Sequence, residues 1–192
     1  MGIFYKGNED EELEKLSEER GLIQFYSGMG KGKTTAAVGQ AVRFAGSGGK
    51  VLFTQFLKDG SSSEIPVLKS IPNIEVFSLT EKMKFSSEMT PEEKKIAREK
   101  NTAYLKEIIR RVEEGDYGLL VLDEVSQACF VELLDKNVLY DFLEHKPRKL
   151  EIAMTGRDPM GRLVELSDYI TVIMKMRHPY DKGVPARKGI EF

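Results

Sequence analysis

The amino-acid sequence predicts an α/β fold of three layers, in which helices flank a mainly parallel β-sheet. Three observations lead to this prediction: uninterrupted apolar runs recur along the chain, helical segments separate them, and a glycine-rich loop joins the first run to the first helix. Apolar runs without polar alternation are typical of strands covered on both faces, and strands that alternate with helices form parallel sheets. Ligands of such folds bind where the strands end, so the residues that close each run are the first candidates for function.

Six apolar runs are the predicted strands, and each is followed by a turn or by polar residues. In chain order they lie within the segments LIQFY, VLFTQF, IEVFSL, YGLLVLDE, KLEIAMTGR and DYITVIMKM. Glycine, aspartate and serine mark the turns, as in KDGSSSE after the second run. Because the last three runs lack alternation, we expect their strands to be buried on both faces.

The predicted helices have recognisable ends. The first follows the glycine-rich loop and stops at the glycines of GSGG. The longest begins at Thr90 and Pro91, with Glu93 completing a capping box, and ends near Gly115. Residues 1–20 predict a mostly polar N-terminal helical arm, and residues 21–192 a single domain.

The composition excludes several classes of protein. The chain has 192 residues and a formal net charge of -2, so no net positive field draws it to nucleic acid. Its single cysteine, Cys129, rules out an intramolecular disulfide or a cysteine-based zinc site within one chain and fits a reducing cytoplasm. The acidic N-terminal stretch is unlike a signal peptide, and no run approaches the about 18 apolar residues that span a bilayer. We expect a cytoplasmic protein without nucleic-acid or membrane partners, with a core thiol at Cys129 and a surface imidazole at His145.

The loop from Ser27 to Thr35 carries the strongest motif. In SGMGKGKTT, the residues Gly32, Lys33 and Thr34 fit the end of the P-loop pattern, whereas Ser27 stands where that pattern has its first glycine. The glycines at 28, 30 and 32 would let backbone N–H groups converge on phosphate oxygens beside the positive N-terminus of the next helix. Lys33 adds charge and Thr34 a metal ligand.

Two carboxylates, Asp123 and Glu124, close the most apolar run. In P-loop proteins a carboxylate at this place holds Mg²⁺ directly or through water. The loop and the carboxylates together predict a P-loop, RecA-like nucleoside-triphosphate-binding fold that holds ATP with Mg²⁺ or Mn²⁺. A P-loop does not name the reaction, so kinases, ATPases and alkyl transferases all remain open at this point.

Five segments resemble the ATP:corrinoid adenosyltransferases, in the family's order from about Gly21 to Phe192. They are SGMGKGKTTAA, TQFLK, VLDE, MTGR and the tail HPYDKGVPARKGIEF. The tail is the most discriminating, because it is not a general P-loop feature. The resemblance implies that the Co(I) of a reduced corrinoid attacks the 5′ carbon of ATP and that triphosphate leaves. It also implies a homodimer and a reductant, expected to be a flavoprotein, that supplies the electron.

The resemblance further implies roles for individual residues. Lys31, Lys33 and the metal would stabilise charge on the triphosphate, and Thr34, Asp123 and Glu124 would hold the metal. The loop residues that would bind ATP are Ser27, Gly28, Met29, Gly30, Lys31, Gly32, Lys33, Thr34 and Thr35. The other implied contacts with nucleotide or corrin are Gln55, Phe56, Met83, Phe85, Arg157, His178, Arg187 and Lys188.

Two departures from the family pattern concern Met29, where the family commonly has asparagine, and Met83 to Phe85, where it has Phe-x-Trp. Methionine cannot donate the hydrogen bond of an asparagine. Two other functions stay open: a P-loop small-molecule kinase, although its candidate lid LKDGSSSE lacks arginine, and a non-catalytic ATP-dependent binding module.

Overall fold

The computed structural model describes residues 20–79, 84–157 and 161–192. The predicted N-terminal arm, apart from Arg20, and Met83 lie outside the described residues. Within those residues six strands form one sheet, in the order β3-β2-β4-β5-β1-β6, and every pair of neighbours is parallel. The strands are β1 Ile23–Ser27, β2 Val51–Gln55, β3 Ile74–Ser78, β4 Leu119–Asp123, β5 Glu151–Thr155 and β6 Tyr169–Val172. The predicted parallel α/β sheet is confirmed.

Helices cover both faces of the sheet. They are α1 Lys33–Gly46, α2 Glu64–Lys69, α3 Pro91–Glu114, α4 Val125–Phe130, α5 Lys136–His145 and α6 Gly161–Leu166. On one face, Ala37 and Ala41 of α1 pack against Phe53 and Val121 of the sheet, and small side chains let this helix lie close to the strands. On the other, α3 and α5 supply a second cluster that includes Leu105 and Ile108. Among the described residues, no helix is long and apolar enough to cross a membrane.

The capping box predicted for the longest helix is present. Thr90 Oγ1 accepts a hydrogen bond from the Glu93 amide at 3.2 Å, and the Glu93 carboxylate accepts one from the Thr90 amide at 2.9 Å. Gly115 caps the other end, where its N–H donates to the Arg111 carbonyl at 2.8 Å. Each end of α3 therefore lies where the sequence predicts it. The N-cap at Thr90 contributes about 1 kcal/mol to the free energy of unfolding.

The prediction of burial on both faces is correct for β4 and β5 and wrong for β6. All five residues of β4 are buried, as are four of the five in β5. All four residues of β6 are exposed, including Tyr169 at 55% and Val172 at 60%. The reason is position, because among the described strands β6 pairs with β1 alone and so forms an edge of the sheet.

Candidate active site

Four strands of the sheet end in polar residues that lie at one edge. Ser27 ends β1, Gln55 ends β2, Asp123 ends β4 and Thr155 ends β5, and the side chains of all four residues are buried. Because β2, β4, β5 and β1 are consecutive in the sheet, these ends form a row. This is the edge at which parallel α/β folds bind their ligands.

The glycine-rich loop packs tightly against the segment that follows β6. The Gly28 amide donates to the Arg157 carbonyl at 3.1 Å, and the Gly30 amide donates to the Ile173 carbonyl at 2.8 Å. A Cβ at Gly28 would lie 2.5 Å from the Ile173 carbonyl oxygen, so this position excludes any side chain. The prediction that these two amides bind phosphate is therefore corrected: both donate to protein carbonyls, and the two glycines permit close packing.

Other amides of the loop remain for an anion. In the described part of the chain, the N–H groups of Met29, Lys31 and Gly32 have no hydrogen-bond acceptor. Gly32 is the N-cap of α1 with φ 122°, a conformation that favours glycine, and the first turn of this helix has no acidic residue. The 14-residue helix thus presents its positive end and free amides on the ligand side, as anion binding requires.

Lys33 lies under the loop. Its ammonium donates to the Gly30 carbonyl at 2.9 Å, and the residue is only 9% exposed. Burial lowers the pKa of Lys33, and the positive charges of Arg157 and Lys58 lower it further against the opposing effect of Glu124 and Asp123. The Lys33 side chain therefore already lies at the loop and would have to move little to contact a bound phosphate.

A network of hydrogen bonds converges on the Asp123 carboxylate. Its Oδ1 accepts from Thr34 Oγ1 at 2.9 Å and from Thr155 Oγ1 at 2.8 Å. Its Oδ2 accepts from Lys58 Nζ at 2.7 Å and from Gln55 Nε2 at 3.1 Å. The structure therefore brings the predicted residues Thr34, Gln55 and Asp123 into one cluster and adds two that the prediction omitted.

Lys58 is the more important of the two omitted residues. It follows Leu57, which takes φ 56°, an uncommon conformation for a residue other than glycine, and its ammonium reaches Asp123 Oδ2 at 2.7 Å. Burial lowers the pKa of Lys58, but the carboxylates of Asp123, Glu124 and Glu64 act together in the opposite direction and leave the pKa raised. The sequence held a signal for Lys58, since it lies just after a strand end in TQFLK.

Glu124 lies beside this cluster in a left-handed conformation, with φ 60°. Its amide donates to Thr155 Oγ1 at 2.8 Å, which ties the turn after β4 to the end of β5. Burial raises the pKa of Glu124, as does the neighbouring charge of Asp123, while Lys58, Lys33 and Arg157 act in the opposite direction. The carboxylate is thus surrounded by the charges of the site.

The donor set fits a hard divalent cation. A threonine hydroxyl and one or two carboxylates are typical protein ligands of Mg²⁺, which usually completes its shell with water and substrate phosphates. The Lys58 ammonium already places one positive charge beside Asp123 Oδ2 and Thr34 Oγ1, at 2.7 Å and 3.4 Å. Among the described residues no group of three or more His, Cys, Asp or Glu side chains could hold a metal by itself. Phosphate oxygens would have to complete the site.

A cleft of about 340 Å³ opens beside the loop. Thr34, Thr35 and Lys58 line one side, and 189–192 line the other. Ser63 Oγ donates to the Phe192 carbonyl at 2.9 Å and fixes the tail there. Larger clefts lie against α3 and at the opposite end of the sheet, but neither is lined by residues of the loop. The cleft beside the loop is therefore the candidate nucleotide site.

Several predicted ligand contacts have other surroundings. Phe56 is fully buried and packs edge-on against Tyr104 at 5.2 Å between ring centroids, which corrects its prediction as a ligand contact. The His178 ring accepts a hydrogen bond from the Tyr180 amide at 3.2 Å and caps a short 3₁₀ helix. Arg187 forms an ion pair with Glu191 at 3.0 Å. His178 and Arg187 thus order the tail, and their contact with nucleotide stays a prediction.

The remaining predicted residues are at the surface. Arg157 is exposed, its carbonyl accepts from the Gly28 amide of the loop, and its charge acts to lower the pKa of both Lys33 and Glu124. Lys31 and Lys188 are also exposed. Met29 is 56% exposed and Phe85 is 78% exposed. Cys129 is buried and His145 is exposed, as predicted.

A glycine loop between a buried strand and a helix, facing a buried aspartate at the end of β4, defines a P-loop nucleotide-binding protein. The fold agrees with a solved structure of EssC (ATPases 2 and 3) from Geobacillus thermodenitrificans, with a TM-score of 0.51 and 18% identity. That match covers 92% of this chain and 37% of the EssC chain. At this identity the likeness supports the fold alone.

Sequence comparison identifies the family within this class. Residues 19–192 match the family model of the ATP:corrinoid adenosyltransferases BtuR/CobO/CobP. A corrinoid adenosyltransferase of Pseudomonas aeruginosa is 30% identical over 184 residues, which are 95% of this chain and 89% of the relative. The corrinoid adenosyltransferase CobA of Salmonella typhimurium is 29% identical over 191 residues, with 97% and 93% covered. This chain belongs to the ATP:corrinoid adenosyltransferase family, and the predicted transferase class is confirmed.

Proposed function

We propose that the protein transfers the 5′-deoxyadenosyl group of ATP to the Co(I) of a reduced corrinoid. The cobalt electron pair forms the Co–C5′ bond, the C5′–O bond breaks, and its electron pair leaves with triphosphate, so cobalt becomes formally Co(III). The observation that carries the proposal is the loop and helix end facing Asp123 in a chain of this family. No proton has to be removed before Co(I) attacks, so the protein needs no general base.

The work of the protein in this reaction is to hold the triphosphate and neutralise its growing charge. The amides of Met29, Lys31 and Gly32 and the ammonium groups of Lys31 and Lys33 supply donors. Thr34, Asp123 and Glu124 would hold Mg²⁺ or Mn²⁺, which when bound neutralises phosphate charge. The buried Thr155 and Gln55 orient Asp123 through hydrogen bonds of 2.8 Å and 3.1 Å.

The corrin requires an apolar surface near the loop. Met29, in the loop after β1, and Phe85, which follows β3, are exposed apolar side chains, and the resemblance implies that Met83 belongs to the same surface. We further propose a homodimer, a flavoprotein as the electron donor and a cytoplasmic location, which the family resemblance and the single cysteine support. The choice between cobalamin and a precursor corrinoid depends on the surface that these residues form.

The deciding experiment mixes the protein anaerobically with MgATP and cob(I)alamin, follows the visible spectrum and identifies the phosphate product. Light-sensitive adenosylcobalamin with intact triphosphate is the expected result. A kinase would instead release ADP, and a binding module would leave both substrates unchanged. Unchanged Co(I) without triphosphate, with cobalamin and with precursor corrinoids, would overturn the proposal.

The same assay tests the loop. Lys33→Ala should lower turnover about 100-fold, because it removes a buried charge that faces the leaving group. Lys69→Ala is the matched control, since Lys69 is an exposed lysine at the end of α2. Full activity of Lys33→Ala would remove Lys33 from the site.

A further inference from the structure

We propose that Lys58 and the divalent cation exchange places. The Lys58 ammonium neutralises Asp123 until the cation enters, and it then binds the triphosphate as an additional positive group. The inference rests on the proposed function, because it assigns Lys58 to the same triphosphate site. It makes Lys58 a ligand of the leaving group that the loop motif does not include.

The ammonium and a metal ion cannot be bound at this point together. Lys58 Nζ lies 2.7 Å from Asp123 Oδ2 and 3.4 Å from Thr34 Oγ1, and these two residues are the ones that would coordinate the metal. Mg²⁺ binds its oxygen ligands at about 2.1 Å, so an ion on this pair of residues would lie against the ammonium. Two adjacent cations repel strongly in a partly buried site. The entry of the metal therefore displaces Lys58.

The surroundings limit where the displaced ammonium can go. Its main chain is fixed, because the Phe56 amide donates to the Asp123 carbonyl at 2.9 Å and Leu57 holds its left-handed turn. The side chain itself is 27% exposed and lines the cleft beside Thr34. A phosphate bound in that cleft would therefore lie within reach of the ammonium.

Three carboxylates lie close enough to raise the pKa of Lys58, those of Asp123, Glu124 and Glu64. Two of them, Asp123 and Glu124, would become ligands of the metal. Once a metal neutralises Asp123 and Glu124, the remaining partners are Glu64 and the triphosphate. The triphosphate carries several negative charges against the one of Glu64, and it would occupy the cleft that Lys58 lines. The geometry thus favours transfer of the ammonium from Asp123 to phosphate.

The exchange predicts effects of opposite sign for one substitution. Lys58→Met removes a cation that competes with the metal, so the protein should bind Mn²⁺ alone about tenfold more tightly, measured by the loss of the free Mn²⁺ signal in electron paramagnetic resonance. The same variant loses a charge-assisted bond to phosphate, so it should bind MgATP about tenfold more weakly, measured by calorimetry. A lysine that only supported the fold would weaken both. Lys69→Met is the control and should change neither.

The outcomes separate this inference from the proposed function. Lys58→Gln is a second neutral variant that keeps a polar side chain, and it should show the same two shifts if Lys58→Met does not fold. Unchanged or weaker Mn²⁺ binding by the folded variant would overturn the exchange, as would unchanged affinity for MgATP. A wild-type protein that binds MgATP but makes no adenosylcorrinoid would contradict the proposed function. The exchange of Lys58 would still be decided by the affinities of the Lys58 variants for Mn²⁺ and MgATP.

Discussion

The strands β4 and β6 have similar apolar sequences and opposite surroundings. In β4, LLVLD is buried at every residue and ends on the aspartate that organises the site. In β6, YITV is exposed at every residue. β4 pairs with β2 and β5 and has helices on both faces, whereas β6 pairs with β1 alone among the described strands. An apolar run therefore predicts a strand, but its place in the sheet decides whether the strand is core.

The largest expected effect lies at the end of β4. Asp123→Asn keeps the size of the side chain and removes the charge that faces Thr34 and Lys58, so turnover should fall about 100-fold. Mn²⁺ binding, measured by electron paramagnetic resonance, should weaken with it. Asp116→Asn changes an exposed aspartate shortly before the same strand and is the matched control. Equal activity of both variants would show that the charge of Asp123 is not needed for turnover and would contradict its proposed role in binding the metal.

The next effect concerns stability within the two strands. Leu120→Ala opens a cavity at a fully buried position of β4 and should lower the free energy of unfolding by about 2–5 kcal/mol. Ile170→Ala in β6, where the residue is 42% exposed, should cost less than about 1 kcal/mol. Urea denaturation of the two variants measures the difference. Similar losses at both positions would show that β6 is covered in solution.

The last effect is absent at neutral pH and concerns the thiol that follows β4. Cys129, in the helix after β4, is buried, and burial raises the pKa of its thiol from 9.0 to about 12. The native state keeps this thiol protonated while the unfolded state ionises, so its contribution to stability is complete below pH 9 and is lost as pH rises toward 12. The free energy of unfolding should fall by up to about 1.4 kcal/mol per pH unit above pH 9 through this group.

Denaturation of wild type and Cys129→Ala across this range tests the effect, because the variant should have the shallower slope. A slope identical in wild type and variant would contradict the burial of the thiol.

Local rules in the sequence predicted much of this molecule. The capping box at Thr90, the loop before α1 and the carboxylates after β4 depend on short motifs, and all three lie where they were expected. The predictions for β6 and Phe56 failed because burial depends on which strands become neighbours, and sequence order does not fix this. The amides of Gly28 and Gly30 were misassigned for a similar reason, since their acceptors come from distant parts of the chain.

Lys58 shows a different limit of sequence analysis. No motif joins it to Asp123, which lies 65 positions further along the chain. The contact exists because β2 and β4 are parallel neighbours in register, with Gln55 opposite Asp123. Knowing the strand order would have placed this lysine near Asp123.

The strand order also determines when the site can form during synthesis. β1 leaves the ribosome first, but its partners are β5 and β6, with Ile23 paired to Ile152 and Gln24 to Tyr169. The strands β2, β3 and β4 can pair with each other before β5 is made. The strand β1 and the loop that follows it can join the sheet only after well over a hundred further residues have been made. Contacts of such separation form slowly. Nucleotide can therefore stabilise this fold only after β5 and β6 have paired with β1.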